Sequence, residues 1–364
     1  MNNNTISTRQ LCFILAFFVP VNKLILLPSL LSSEAKNDLV LSALAAAVLQ
    51  SFAVFAMLWL MQKRKETLYD LIKGKFNETT ARIFYFILAA YFLFSAILPA
   101  AEHKVYIETT MYDTLPSPVI FSPFFIFSTY AAAKGLQCAG RAADAGMPLF
   151  LLSFPVLLFM ATASTDFTSL LPIGKPPYDG VARGAIYSLS WFSDAAWLLA
   201  LQGRVTVQKK FLTKTFLSYL AGAATVLVFL AVFYGIFSTV APNENFAVAK
   251  VARYYNALKT VGRIDLLFIY VLSVVQLFAL IFPLQLCTNT LACACRSNKT
   301  PIFSLITNGI LFLVIFFTDK AFPSLLLTVT GKLFPVFLVF ANLIPMLCPL
   351  FTIKKRERRT TDAA

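Results

Sequence analysis

The feature that most constrains this chain is the apolar run from 11 to 31, LCFILAFFVPVNKLILLPSLL, which carries Pro20, Asn22 and Lys23 at its centre. A run of that length crosses a hydrocarbon core of about 30 Å as a single helix. Proline, however, removes a backbone donor and crowds the preceding turn, and a lysine at mid-membrane is costly unless it is paired. The run therefore reads as a span interrupted where the bilayer is driest. A second run, ARGAIYSLSWFSDAAWLLALQ at 182 to 202, has the same character, with Ser188, Ser190, Ser193 and Asp194 set in apolar sequence. Two interrupted spans in one chain point to a binding site near the bilayer midplane.

The rest of the sequence places these runs in an all-α polytopic membrane protein. Of its 364 residues 59% are hydrophobic and 13% charged, more apolar surface than a soluble domain can hide. The formal charge of +14 suggests nucleic acid at first sight. The Lys and Arg fall in short clusters between apolar runs, where they set topology and attract anionic lipids. Nucleic acid is excluded as a partner on that ground. No Ser, His and Asp arrangement, HExxH or phosphate loop is present, and the chain has a single histidine. The reading is a non-enzyme without cofactor or metal. The N-terminal MNNNTISTRQ lacks the layout of a cleaved signal, so the first span is expected to be retained.

Ten spans are expected, at 11 to 31, 39 to 61, 83 to 108, 119 to 133, 147 to 164, 182 to 202, 215 to 239, 264 to 292, 302 to 318 and 332 to 352. Most of the Lys and Arg outside them lie at the termini and in alternate loops, which puts both termini in the cytoplasm. The KKRERR tail reads as a stop signal at the membrane surface. The loop at 62 to 82 is basic and mildly amphipathic, either an interfacial helix or a solvated connector. Gly135 and Gly140, between the fourth and fifth spans, favour a turn or tight packing. Residues 240 to 262 have the spacing of a short helix lying over the outer mouth, and Arg263 and Asp265 suit an interfacial ion pair.

The chemistry is expected at the breaks. With helical rise, Lys23 lies about 18 Å deep from the cytoplasmic face and Asp194 about 12 Å, a gap that a lysine stem closes. The expectation is an intramembrane Lys23–Asp194 pair with Val21, Asn22, Ser190, Trp191 and Ser193 around it. The alternative is that each makes a separate structural contact. Glu102, His103, Lys104, Tyr106 and Glu108 near the outer end of the third span either snorkel to water or line the site, with Glu102 and Tyr106 the candidates for lining it.

Several stretches also resemble the B subunits of bacterial spore-germination receptors, the GerAB/GerKB-type proteins of the amino acid, polyamine and organocation transporter superfamily. They are IST.RQL before the first span with Pro28 after it, the LP.P turn at Leu115, Pro116 and Pro118, and KG....AGR.AD..MP from Lys134 to Pro148. Asp166 to Pro172 (D...SLLP) and Gly262 to Asp265 (GRID) follow in matching order. The resemblance implies a LeuT-like bundle of two inverted five-helix repeats, here 1–164 and 182–352 with a basic tail at 353–364, unwound in spans one and six. It implies a nutrient sensor for an amino-acid-like ligand in the spore inner membrane, beside an A subunit and a C lipoprotein subunit. An amino acid transporter, proton-coupled or ion-independent, is the alternative. Val21 and Lys23 stand where the superfamily usually places small residues, so a fixed ammonium either replaces a coupling cation or takes the place of a ligand's amino group.

Overall fold

The computed structural model describes residues 5–110, 117–174, 178–254, 264–317 and 322–349. A short strand, β1 (Ile6–Ser7), leads into the first helix, and Ser7 caps it. The Ser7 hydroxyl accepts from the Gln10 amide at 3.2 Å, and the Gln10 side chain accepts from the Ser7 amide at 3.0 Å. This reciprocal cap satisfies two donors that a helix start leaves bare. The helix α1 (Thr8–Val21) then loosens into a π turn at Ile14–Phe18, just before Pro20. Pro20 has no N–H for the Ala16 carbonyl and its ring crowds the turn before it, so a wider turn relieves the clash.

Residues 22–26 are not helical, and α2 (Leu27–Ala35) resumes with Pro28 in its first turn, where a missing N–H costs nothing. There follow α3 (Leu39–Lys63), a short α4 (Leu68–Lys75), α5 (Glu78–Thr110), α6 (Ser117–Ala133) and α7 (Leu136–Thr162). The second interrupted run becomes α8 (Asp179–Ser188), a non-helical turn at 189–194, and α9 (Ala195–Leu201). After β2 (Val205–Thr206), which pairs in parallel with β1, come α10 (Phe211–Phe237) and the short α11 (Ala247–Tyr254). The chain continues with α12 (Ile264–Ala294), α13 (Thr300–Phe317), α14 (Ser324–Lys332) and α15 (Phe334–Pro349).

Six helical stretches among the described residues are long and apolar enough to cross a membrane, and α14 with α15, bent by 52°, makes a seventh if counted as one span. Thr8–Val21 and Phe121–Ala133 are apolar but shorter. Where the described residues cover them, the ten expected runs fall on helical sequence, the first and sixth interrupted and several with other bounds. The fifth begins at Leu136 instead of 147, because only Gly135, at φ +86°, interrupts the chain there. The Ala-rich AGRAADAG stretch continues the helix beyond its apolar part, and Gly140 packs under Gln10. The expected loop at 62 to 82 contains the short helix α4, whose Leu68 and Tyr69 are buried against the bundle.

Packing sets the broken segments at the centre. The helix α12 runs along α5 and α7, α10 lies on α3 and on the loosened part of α1, and α8 packs on α2 and α3. Phe17, Phe18, Phe192 and Leu198 from the two interrupted segments have no exposure at all. A second apolar cluster, with Ala96, Phe121, Phe125, Leu284 and Leu311, fastens α6 and α13 to the outside of α5 and α12.

One contact shows how closely a neighbour must approach the break. A Cβ at Gly222 of α10 would stand 2.6 Å from the Leu15 carbonyl oxygen, 3.2 Å from that of Ala16 and 3.3 Å from the Pro20 ring. A Cβ at Gly309 of α13 would meet nothing within 4 Å. Gly222→Val should therefore lower the thermal unfolding midpoint of purified protein, by the equivalent of about 1–3 kcal/mol for an overpacked core. Gly309→Val is the control, and an equal loss in both would refute the close-approach argument.

Candidate functional site

The Lys23 side chain is 1% exposed and that of Asp194 2%, and they meet in the bundle interior. The lysine Nζ donates to Asp194 Oδ2 at 2.9 Å, to Oδ1 at 3.1 Å and to the Val19 carbonyl at 2.7 Å. Those contacts occupy the whole donor capacity of an ammonium. The last of them follows from the break itself. In a continuous helix the Lys23 amide would bond the Val19 carbonyl, but here it turns to Pro20 at 2.8 Å. The carbonyl left behind is recovered by the side chain of the same residue. The Phe192 ring, 5.0 Å from Nζ, adds a cation–π contact.

Asp194 stands at the N-cap position of α9, yet its carboxylate makes no capping bond to that helix. Gln50 of α3, fully buried, takes over the task. With its amide oriented by its neighbours, it accepts from the Asp194 amide at 3.0 Å and from that of Ala195. Its nitrogen donates to the Phe192 carbonyl and to Asn342 Oδ1, both at 2.8 Å. One side chain from a continuous helix thus satisfies both the donors and the acceptor that the interruption exposes.

The other expected residues gather around the breaks. Val21 and Asn22 are buried at the end of α1, and the Asn22 Oδ1 has no hydrogen-bond partner among the described residues. Ser190 bonds the Tyr187 carbonyl at 3.0 Å and closes α8. Trp191 Nε1 donates to Glu102 Oε1 at 3.1 Å, whereas Glu102 Oε2 has no partner among the described residues. Ser193, half-buried, precedes Asp194 in the turn. Tyr106, one turn beyond Glu102, packs its ring 5.7 Å from that of Phe246 at the entry to α11.

The snorkelling alternative fails for four of the five residues it covered, since Glu102, His103, Lys104 and Tyr106 are all buried. Phe121 of α6 and the start of α11 cover this part of α5, so it faces protein and not water. Lys104 meets Glu108 at 3.8 Å. The short helix expected within 240 to 262 is α11 where the structure describes it, and its Ala247 amide donates to the Ile25 carbonyl of the first break at 2.9 Å. On the opposite face, Arg9 pairs with Asp144 at 3.1 Å and Gln10 donates to the same carboxylate at 3.0 Å. The side chains of Arg263 and Asp265, most of the LP.P turn and the tail from 350 onward lie outside the described residues.

Sequence reasoning missed Gln50, Phe192 and the Val19 carbonyl. Gln50 carried a readable signal, a lone amide at the middle of the 39 to 61 run. The arrangement as a whole joins two half-helices through a charge pair whose donors are spent. Among the described residues, Asn22 Oδ1 and Glu102 Oε2 are buried there without donors.

Residues 5–322 match the family described as spore germination protein. MhsT in complex with L-phenylalanine shares the architecture with TM-score 0.66 at 13% identity, over 96% of this chain and 88% of that one. Mhp1, a nucleobase-cation-symport-1 family transporter in a closed conformation with bromovinylhydantoin bound, aligns with TM-score 0.58 at 12% identity, over 92% and 78%. At those identities the likeness establishes the fold, that of the LeuT-like transporters. No curated protein matches the sequence.

The pair carries a direct stability prediction. Lys23→Met leaves a buried carboxylate uncompensated and should cost about 3–5 kcal/mol, whereas Lys23→Met with Asp194→Leu should recover most of it. Unfolding midpoints of the two variants and the unaltered protein measure this. A double variant less stable than the single one would show that the two side chains are not coupled.

Proposed function

The chain belongs to the spore germination protein family, and on that premise we propose that it is the membrane subunit of a spore nutrient-germinant receptor. In this reading it binds an amino-acid-like molecule where α1–α2 and α8–α9 break, between five-helix repeats at 1–164 and 182–352. Its site is formed by Val21, Asn22, Lys23, Glu102, Tyr106, Ser190, Trp191, Ser193 and Asp194. It sits in the spore inner membrane among anionic lipids, both termini cytoplasmic, beside A and C subunits.

The observation that supports the reading best is the buried Lys23–Asp194 pair flanked by two acceptors without donors. A buried polar atom left unpaired costs about 1–3 kcal/mol, and a ligand that supplies N–H groups removes that cost. Lys23 then stands in for a coupling cation, and the ligand's ammonium goes to Glu102 Oε2 and Asn22 Oδ1, because Asp194 is already taken. MhsT is a relevant neighbour here, since its structure holds L-phenylalanine.

A transporter reading rests on the same fold, since Mhp1 is a transporter. Uptake of labelled amino acid by proteoliposomes containing this protein alone would favour it over a receptor.

The binding step is tested by the thermal stability of purified protein across the twenty amino acids, with and without sodium. A ligand at 100 times its dissociation constant adds about 2.7 kcal/mol, so at least one amino acid should raise the midpoint by several degrees, with no need for sodium. Glu102→Gln should weaken that ligand at least tenfold. A panel without any shift would sink the ligand assignment.

A further inference from the structure

Away from the breaks, a cavity of about 410 Å³ opens where three stretches of the chain converge, near 69, at 204 and over 289–300. Tyr69 of α4, Arg204 in the turn after α9, Asn289 near the end of α12, Arg296 and Ser297 in the connection that follows, and Thr300 at the start of α13 all line it. The two charged side chains in the lining are arginines, and no carboxylate joins them. Arg296 is held from outside the cavity by Glu78, a carboxylate that also pairs with Arg82 at 2.7 Å and Lys73 at 3.5 Å. One acid shared among three cations leaves positive charge in surplus. Arg204 has no acid partner among the described residues.

The neighbourhood is rigid. Gly203, at φ +75°, lets the turn pass 2.6 Å from the Thr67 amide nitrogen, measured from where a Cβ would be. Gln202 then donates to the carbonyls of Arg64 at 2.8 Å and Glu66 at 3.0 Å, and the Arg204 carbonyl accepts from the Ile6 amide at 3.0 Å. Thr300 opens an 18-residue helix, whose partial positive charge faces this end. Tyr69 is 6% exposed, and its hydroxyl lies beside the Arg296 guanidinium with no other hydrogen-bond partner among the described residues. Its ring is fixed edge-on against Tyr85, centroids 5.2 Å apart.

We infer that this cavity is a phosphate-binding site. Guanidinium groups bind phosphate oxygens through paired N–H donors, and the cavity has the size of a small-molecule site. Arg204, Arg296 and the Tyr69 hydroxyl supply the donors, with Ser297 and Thr300 at the helix start. A phosphate clamped there ties the turn after α9 to the α12–α13 junction, and through the Arg204 backbone to strand β1. Its source is either the headgroup of an anionic phospholipid or a soluble phosphate.

The test uses the full-length protein in neutral detergent, with inorganic phosphate and glycerol 3-phosphate against chloride at equal ionic strength. Phosphate should raise the unfolding midpoint by several degrees where chloride does not. Arg204→Gln, which breaks no ion pair, and Tyr69→Phe, which removes one hydroxyl, should each need at least fivefold more phosphate for the same shift. Nanodiscs separate the sources. Stabilisation by phosphatidylglycerol over phosphatidylcholine, absent in Arg204→Gln, with no further gain from phosphate, identifies a lipid headgroup. An equal gain from phosphate in both discs identifies a soluble ligand. Equal responses to phosphate and chloride, or unaltered phosphate responses in both variants, overturn the assignment.

Discussion

A lysine ammonium and an aspartate carboxylate, both out of reach of water, hold two interrupted helices together, and the rest of the bundle is arranged to make that possible. Inside a membrane protein each backbone donor and acceptor must find its partner within the chain. A break in a helix therefore creates a debt of polar groups. Here the residues that cause the breaks also repair them. Lys23 gives up the helical bond to Val19 with its amide and restores it with its side chain. Asp194 forgoes capping α9 to meet Lys23, and Gln50 caps in its place.

The consequence is a first span tied at both ends to different parts of the molecule. On one face Arg9 and Gln10 hold Asp144 at the start of α7, and β1 pairs with β2 after α9. On the other, Ile25 in the break receives the first amide of α11. The first break is thereby anchored to both faces of the molecule, in a fold shared with transporters.

Reading from residues alone reached far along this chain, and it failed where neighbours decide. Proline, lysine and aspartate within long apolar runs announce a break by their own chemistry, which no packing can disguise. The covering of Glu102, His103 and Lys104 could not be read that way, since whether a charge near a helix end meets water depends on what lies over it. Here Phe121 and the lead-in to α11 do so. Gln50 is a similar case, an ordinary amide until the backbone of another helix is brought against it. The cavity between Arg204 and Arg296 closes only when Tyr69 and Arg204 are brought against the 289–300 stretch, so no local pattern marks it.

The sequence by itself determined that this is a helical membrane protein, where its apolar helical runs lie, and that the first and sixth are interrupted by Pro20, Lys23 and Asp194. Those follow from hydropathy, proline geometry and the cost of an unpaired charge, which act on each segment independently. Only the tertiary structure decided that Lys23 and Asp194 face each other at 2.9 Å, that Gln50 closes the second break, and that Asn22 and Glu102 keep acceptors without donors. Each of these joins groups far apart in sequence, and which acceptor a donor reaches is settled by how the helices pack.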